Sequence, residues 1–197
     1  FYTRLNHVFV LEEIGKDEEH NAVIKERRNG QGAEVAGVTV EGKVAYLSLV
    51  QLQAGVTWQK SHYTRPEKWS KDSSVPAEKR IFRTPDWYGY FTATYSPVKP
   101  LNIALSGTYT GSMIVQHMKG YIPKDIAVTT PDFFDMNLKI SYDFSLYKFI
   151  TLQLNAGIQN IFNAYQRDFD QGKERDSGYI YGPSMPRSYF AGAKLMF

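Results

Sequence analysis

The 197-residue chain contains no cysteine. A disulfide scaffold and any Cys-ligated zinc or iron–sulfur site are thereby excluded, while an oxidising compartment stays open. A long apolar run is also lacking. The longest uncharged stretch, from Pro100 to Met118, is interrupted at alternate positions by Asn102, Ser106, Thr108 and Thr110, whereas a spanning helix needs about 20 mostly apolar residues. The mean hydropathy of −0.39 agrees. Neither sign of charge dominates: 23 basic residues stand against 20 acidic ones, for a net charge of +3. That balance does not suit the concentrated basic face of a nucleic-acid binder. The sequence opens on Phe1-Tyr2-Thr3-Arg4 without the basic and apolar regions of a secretory leader. The expectation is either a cytosolic protein or a chain whose true N-terminus lies upstream.

Catalytic and metal-binding signals are sparse. The four histidines, His7, His20, His62 and His117, lie far apart, and a zinc site needs three or four convergent ligands. His62 and His117 both fall near the start of long polar stretches and could approach one another across neighbouring hairpins; the simpler reading is solvated loop histidines. Asp168-Phe169-Asp170 and Asp132-Phe133-Phe134-Asp135 lack the ligand count of a calcium loop and read as turn residues and solvated charge. Arg27-Arg28 and Lys79-Arg80 read as wet loop. No Gly-x-Ser-x-Gly, phosphate loop or dinucleotide fingerprint occurs. The chain is expected to be no enzyme, with no cofactor and no nucleic-acid partner.

What the sequence does have is aromatic residues, 15% with 14 Tyr and 12 Phe, and a period of two. Tyr and Trp favour membrane–water interfaces. Leu101, Ile103, Leu105, Gly107 and Tyr109 alternate with Asn102, Ala104, Ser106, Thr108 and Thr110. Met136, Leu138, Ile140, Tyr142 and Phe144 alternate with Asn137, Lys139, Ser141 and Asp143. Leu152, Leu154, Ala156 and Ile158 alternate with Gln153, Asn155, Gly157 and Gln159, and Tyr189, Ala191, Ala193, Leu195 and Phe197 close the chain. Successive strand side chains point to opposite faces, so each segment has one apolar and one polar face. Four further strands are expected over roughly 1–12, 34–43, 50–62 and 87–96, making eight.

The expected connections alternate in length. Short ones fall near 43–49, 96–100 and 145–149; long, charged ones run over 14–33, 63–86, 112–133 and 165–186. Strand direction reverses at each, so short turns gather on one side and long loops on the other. Alternating strands, unequal ends and aromatic strand termini (Tyr95, Tyr109, Tyr142, Phe144, Phe162, Tyr189, Phe197) describe an antiparallel transmembrane β-barrel with periplasmic turns and extracellular loops. A soluble antiparallel barrel or sandwich shares the alternation and points its apolar face inward.

The last third is more specific. Gly157-Ile158-Gln159-Asn160-Ile161-Phe162-Asn163-Ala164-Tyr165 resembles the penultimate-strand motif of TonB-dependent outer-membrane receptors. Tyr181-Gly182-Pro183-Ser184-Met185-Pro186-Arg187, running on to Phe197, resembles their terminal strand. Phe1–Leu11 and Gly30–Val40 resemble internal strands of the same barrels. The resemblance implies an all-β fold in which residues 1–197 form the eight C-terminal strands of a barrel of roughly 22 strands. The plug domain and N-terminal strands would be absent. It also implies a bacterial outer-membrane receptor that imports a scarce nutrient: an iron chelate, haem, cobalamin or a glycan. The implied partners are outer-membrane lipid, the receptor's own plug, TonB acting through the missing N-terminal part, and an extracellular nutrient ligand. Phe197 would be a C-terminal aromatic at the periplasmic rim. Two alternatives remain at this stage: a small structural or adhesive outer-membrane barrel of eight strands, and a soluble β-barrel that binds a small molecule. Among the loop aromatics, which also include Phe82 and Trp87, Trp69, Tyr121, Tyr179 and Tyr181 are the candidates for stacking on a ligand.

Overall fold

The computed structural model describes residues 1–20 and 22–197, at Glu12 and Glu13 the backbone only. Among these residues there is no helix. Thirteen strands occur: β1 Tyr2–Leu5, β2 Phe9–Asp17, β3 Ala22–Asn29, β4 Ala33–Tyr46, β5 Val50–Glu67, β6 Glu78–Arg80, β7 Trp87–Val98, β8 Leu101–Thr110, β9 Ile114–His117, β10 Ile126–Thr129, β11 Phe133–Tyr147, β12 Ile150–Gln159 and β13 Ser188–Met196. Eight of them form one antiparallel sheet in the order β1-β4-β5-β7-β8-β11-β12-β13, and β6 adds to β5. Sheet order follows chain order, as hairpin connections require.

The eight expected strands are all present, with three differences. The stretch 1–12 is not one strand. The chain breaks after Leu5, and Phe9–Asp17 pairs instead with Ala22–Asn29 as a separate hairpin filling most of the expected loop 14–33. Its alternating pattern is real but belongs to two ladders. Backbone bonds from Val8 N to Gln31 O (3.2 Å) and Gly30 N to Val8 O (2.7 Å) tie the hairpin's base together. Second, β4, β5 and β11 outrun their expected ends, because pairing continues through polar residues beyond the apolar repeat. Third, the loops contain short strands of their own, β6, β9 and β10.

Register decides which residues share a face. Val50, Leu52, Ala54, Val56 and Trp58 pair across to Tyr95, Ala93, Phe91, Gly89 and Trp87. The row continues through Leu105 to Leu138 and Ile158, and through Ile103 to Ile140, Ala156 and Ala191. Tyr142, Leu154 and Ala193 form another such row, as do Phe144, Leu152 and Leu195. Every row of this face is apolar; Leu52, Val56, Trp58, Ile140, Phe144, Leu154 and Leu195 are exposed, while Ile103, Leu105, Leu138 and Leu152 are half-buried. The opposite face carries Gln53, Thr92, Ser106 and Asn137 in one row and Gln51, Thr94, Ala104, Lys139 and Gly157 in another. Its polar groups bond sideways along the sheet: Gln53 Nε2 donates to Tyr90 Oη (3.2 Å), Tyr90 donates to Glu41 (3.3 Å), and Gln153 donates to Asp143 (2.7 Å).

This is the inverse of a water-soluble sheet. On β5 the polar Thr57, Gln59 and Ser61 are buried, while their neighbours Val56 and Trp58 are exposed. The sheet has no apolar core. The buried apolar cluster, Val115, Phe133, Tyr179 and Tyr181, sits in the loops at the long-loop end. Aromatic rings mark both edges of the exposed face: Trp58, Trp87, Tyr109 and Tyr189 toward the long loops, and Tyr95, Tyr142, Phe144 and Tyr147 toward the short turns. From Val50 to Trp58 the path is about 26 Å at ~3.3 Å per residue. At the usual barrel tilt of roughly 40° that gives about 20 Å of depth, comparable with the apolar band of a transmembrane barrel.

Candidate functional site

Three long connections, 68–86, 111–132 and 160–187, interlock into a cap at one end of the sheet. Its anchor on the strand side is Asn160, just past β12. The residue has a left-handed backbone (φ 50°) and is buried. Asn tolerates that conformation because its side chain bonds locally. Asn160 Nδ2 donates to Ala164 O (2.8 Å) and Met185 O (2.9 Å), and its Oδ1 accepts from Ala164 N (2.8 Å). The backbone N of Asn160 donates to Asn137 Oδ1 on β11 (2.9 Å). Asn163, also left-handed (φ 53°), accepts from Arg187 N (2.9 Å). One asparagine thus ends a strand, turns the chain, and ties the outgoing limb of the last loop to its return.

Above this anchor the carboxylates are turned inward. Asp168 accepts the Tyr179 hydroxyl (2.8 Å) and the Tyr181 hydroxyl. Asp170, buried, receives His117 Nε2 at 3.0 Å to both oxygens and the Asp176 N–H at 2.9 Å. His117 stacks on Tyr179 with ring centroids 3.7 Å apart and planes 4° from parallel. Asp125, buried, accepts Ser70 Oγ (2.6 Å) and Lys119 N (2.7 Å), joining the first loop to the second. Asp176 accepts Met118 N (2.8 Å). Arg83, left-handed at φ 59°, donates from its guanidinium to Ile180 O (2.7 Å) and Gly178 O. Phe133 at the head of β11 packs on Tyr181 at 5.8 Å.

These contacts shift proton affinities in the cap. Burial, with the hydrogen bond to Asp168 second, pushes the Tyr181 hydroxyl up to about 12. Burial and Asp168 raise Tyr179 further still. For Asp168 burial works upward, but the hydrogen bonds from Tyr181 and Tyr179 prevail and hold its carboxyl below the ordinary range. A carboxylate that accepts hydrogen bonds keeps its charge, and its donors keep their protons.

The four expected ligand-stacking residues occupy different places. Tyr179 and Tyr181 are 2% and 7% exposed and form the middle of the cap. Trp69 is half-buried, its Nε1 donating to Pro76 O (3.1 Å) and its ring edge-on to Phe82. Tyr121, 57% exposed, lies in the connection between β9 and β10. His62 and His117 take separate partners: His62 faces Glu34 on the neighbouring strand at 3.7 Å, and His117 faces Asp170. Asp168 and Asp170, expected as solvated turn charge, are the main acceptors of the cap. Both tyrosine hydroxyls converge on Asp168, whereas Asp170 takes His117 from 53 residues away, so no local spacing in the sequence signals either role. Among the described residues no group of three or more His, Cys, Asp or Glu is arranged to hold a metal ion.

No protein-family model matches the chain, and no curated protein matches it. Among solved structures the chain is similar to the ferric-catecholate import receptor Fiu of Escherichia coli K12 in its closed form. Identity is 20% and the TM-score 0.58, over 99% of this chain and 24% of that one. It is also similar to a point mutant of the ferric enterobactin receptor PfeA of Pseudomonas aeruginosa. There identity is 16% and the TM-score 0.54, over 99% of this chain and 28% of that one. The chain therefore spans about a quarter of the length of these receptors. An exposed apolar band between two aromatic edges, a polar opposite face and a packed cap at one end agree with that likeness: the chain has the fold of the outer-membrane β-barrel of TonB-dependent receptors, as an open stretch of the barrel wall.

Proposed function

We propose that this chain supplies barrel wall and extracellular loops to a TonB-dependent receptor that imports a scarce nutrient across the outer membrane of a Gram-negative bacterium. The observation that carries the reading is the inverted sheet: apolar side chains outward without a covering layer, polar side chains toward a lumen, and a cap of interlocked loops at the end where a ligand would arrive. The two similar receptors are ferric-catecholate and ferric enterobactin proteins, which favours an iron chelate over haem, cobalamin or a glycan. The plug domain, TonB and the ligand are partners of the whole receptor in this proposal. Trp69 and Tyr121 are assigned to ligand contact. Tyr179 and Tyr181, with hydroxyls engaged and rings packed, are assigned to holding the contact surface in place.

The test is uptake. In cells whose gene for the full-length protein is deleted, accumulation of chelated iron should fall. It should return with the intact gene and stay low when the cells also lack TonB. Unchanged accumulation across a panel of chelates, together with growth defects on a glycan or cobalamin, would move the substrate assignment. Recovery of the native protein as a detergent-free monomer would remove the membrane reading altogether.

A further inference from the structure

The polar face of the sheet serves some of its carboxylates from within. Glu41 accepts the Tyr90 hydroxyl (3.3 Å), and Asp143 accepts Gln153 (2.7 Å). Asp135 on β11 differs. It ends the row that runs across the polar face from Glu41 through Gly55, Tyr90 and Thr108. Its Oδ1 is sealed from solvent and accepts no hydrogen bond. No basic side chain pairs with it among the described residues. Lys139, on the same face of β11, lies four residues on, about 13 Å away at ~3.3 Å per residue. The residue as a whole is only half-buried, so its side chain can be approached from the polar side of the sheet. A carboxylate partly withdrawn from water, with neither donor nor counter-charge, is costly, and an opposite charge on its open side offsets that cost. The strand also holds Asp135 in a fixed place. Two residues before it Phe133 packs on Tyr181, and two residues after it Asn137 accepts the backbone N of Asn160. Residues two apart on a strand share a face, so Asp135 stands between two side chains that anchor the cap.

We propose that Asp135 is the point on the barrel wall that receives a basic side chain, arginine or lysine, carried by the domain that fills the lumen. The inference rests on the import reading, in which that domain is the receptor's plug, and deepens it by naming the residue of the wall and the charge of its partner. An acceptor already fixed by the strand loses little freedom when the partner arrives. A pair partly enclosed by the wall is also screened by salt much less than a surface pair.

The test uses the full-length receptor in detergent. Asp135→Asn keeps the shape of the side chain and removes its charge. Amide exchange, read by mass spectrometry, should quicken about tenfold, or ~1.4 kcal/mol, in one stretch upstream of Phe1 that carries an arginine or lysine, while β8 and β11 keep their protection. A benzophenone amino acid at Thr108, the exposed position paired with Asp135, should crosslink to that same stretch. The crosslink is read with Asp135 in place, so it decides the matter even where Asp135→Asn assembles poorly. Asp135→Arg combined with an acidic residue in place of the partner's basic one should restore slow exchange. Faster exchange confined to 133–137 and 160–164 would mean that Asp135 serves only its own wall and cap, and unchanged exchange would mean that solvent suffices. Either result, or no crosslink upstream of Phe1, overturns the contact. TonB-dependent uptake by the native receptor is scored separately. Uptake without the exchange effect leaves import standing without this contact; the exchange effect and crosslink without uptake leave the contact standing without import.

Discussion

Asn160 holds three side-chain hydrogen bonds from a left-handed backbone, and both features are open to substitution. Asn160→Ala leaves the Ala164 amide and two carbonyls without partners and forces alanine into a conformation it disfavours. A loss of about 2–4 kcal/mol is expected for those buried groups, measured by urea unfolding of the full-length receptor in detergent. Asn160→Gly loses the same side-chain bonds but keeps the backbone conformation, and should lose less than Asn160→Ala. Equal losses would mean that the left-handed backbone costs alanine nothing, and no loss in Asn160→Gly would mean that the side chain holds nothing. The tyrosine pair gives a second residue-scale prediction. Tyr181 has its folded pKa raised to about 12, above the ordinary tyrosine value of about 10. Its contribution is therefore fully present below pH ~10 and is lost as pH rises toward ~12. Asp168 has the opposite sign: its lowered pKa contributes above the ordinary carboxylate value and is lost as pH falls through the folded value. The native-minus-Tyr181→Phe difference in tyrosinate absorbance should rise near pH 12 rather than near pH 10. At this scale the sequence was partly legible. The motif around Asn160 stood out, but its bond to Met185 spans 25 residues and no local pattern announces it. Tyr179 and Tyr181 are legible as loop aromatics, but their hydroxyl bonds to Asp168 and the stacking of His117 on Tyr179 depend on how the loops pack.

Strands were more legible than loops, for a physical reason. A strand whose two faces meet different solvents needs alternation at every second residue, and a slip of one would reverse all of its side chains. The alternation therefore marked all eight strands of the sheet. It did not mark their ends. In β5 the ladder runs on past Trp58 to Glu67, where backbone pairing continues with no apolar stripe to signal it. The hairpin of β2 and β3 was missed for the converse reason: the alternation of 1–12 is continuous, while the break after Leu5 depends on which strand lies alongside. The face assignment gives the element-scale prediction. Leu154 lies on the exposed apolar face, in a row with Tyr142 and Ala193, and Gln153 lies on the polar face between Asp143 and Lys194. Leu154→Arg should cost about 2–4 kcal/mol near the bilayer midplane, measured by reversible unfolding from vesicles. Gln153→Arg should cost far less, since its new charge stands beside Asp143. Equal sensitivity at the two positions would remove the assignment of the apolar face to lipid.

At the scale of the whole molecule, the sheet is open. β1 and β13 each pair on one side only among the described residues. Lipid does not tolerate unpaired backbone groups, so strand edges within a membrane must find partners. Closure of β1 onto β13 is poorly matched. β1 has four residues and β13 nine, so more than half of β13 would still lack a partner. An eight-stranded barrel must also fill its own interior with side chains. Here the inward rows include Gly157 and Gly192, and Ser106, Thr92 and Ser141, residues too small to fill it. The geometry fits a wider lumen whose edges are completed by further strands. Residues 1–197 refolded alone into detergent micelles are therefore expected to associate through β1 and β13 rather than form a compact monomer. Light scattering should show species of more than one chain. Amide exchange should be slow across β8 and β11, which pair on both sides, and fast at the β13 amides that face away from β12. A single monomer with slow exchange at both edges would mean that the eight strands close on themselves, and the chain would then be a small barrel in its own right.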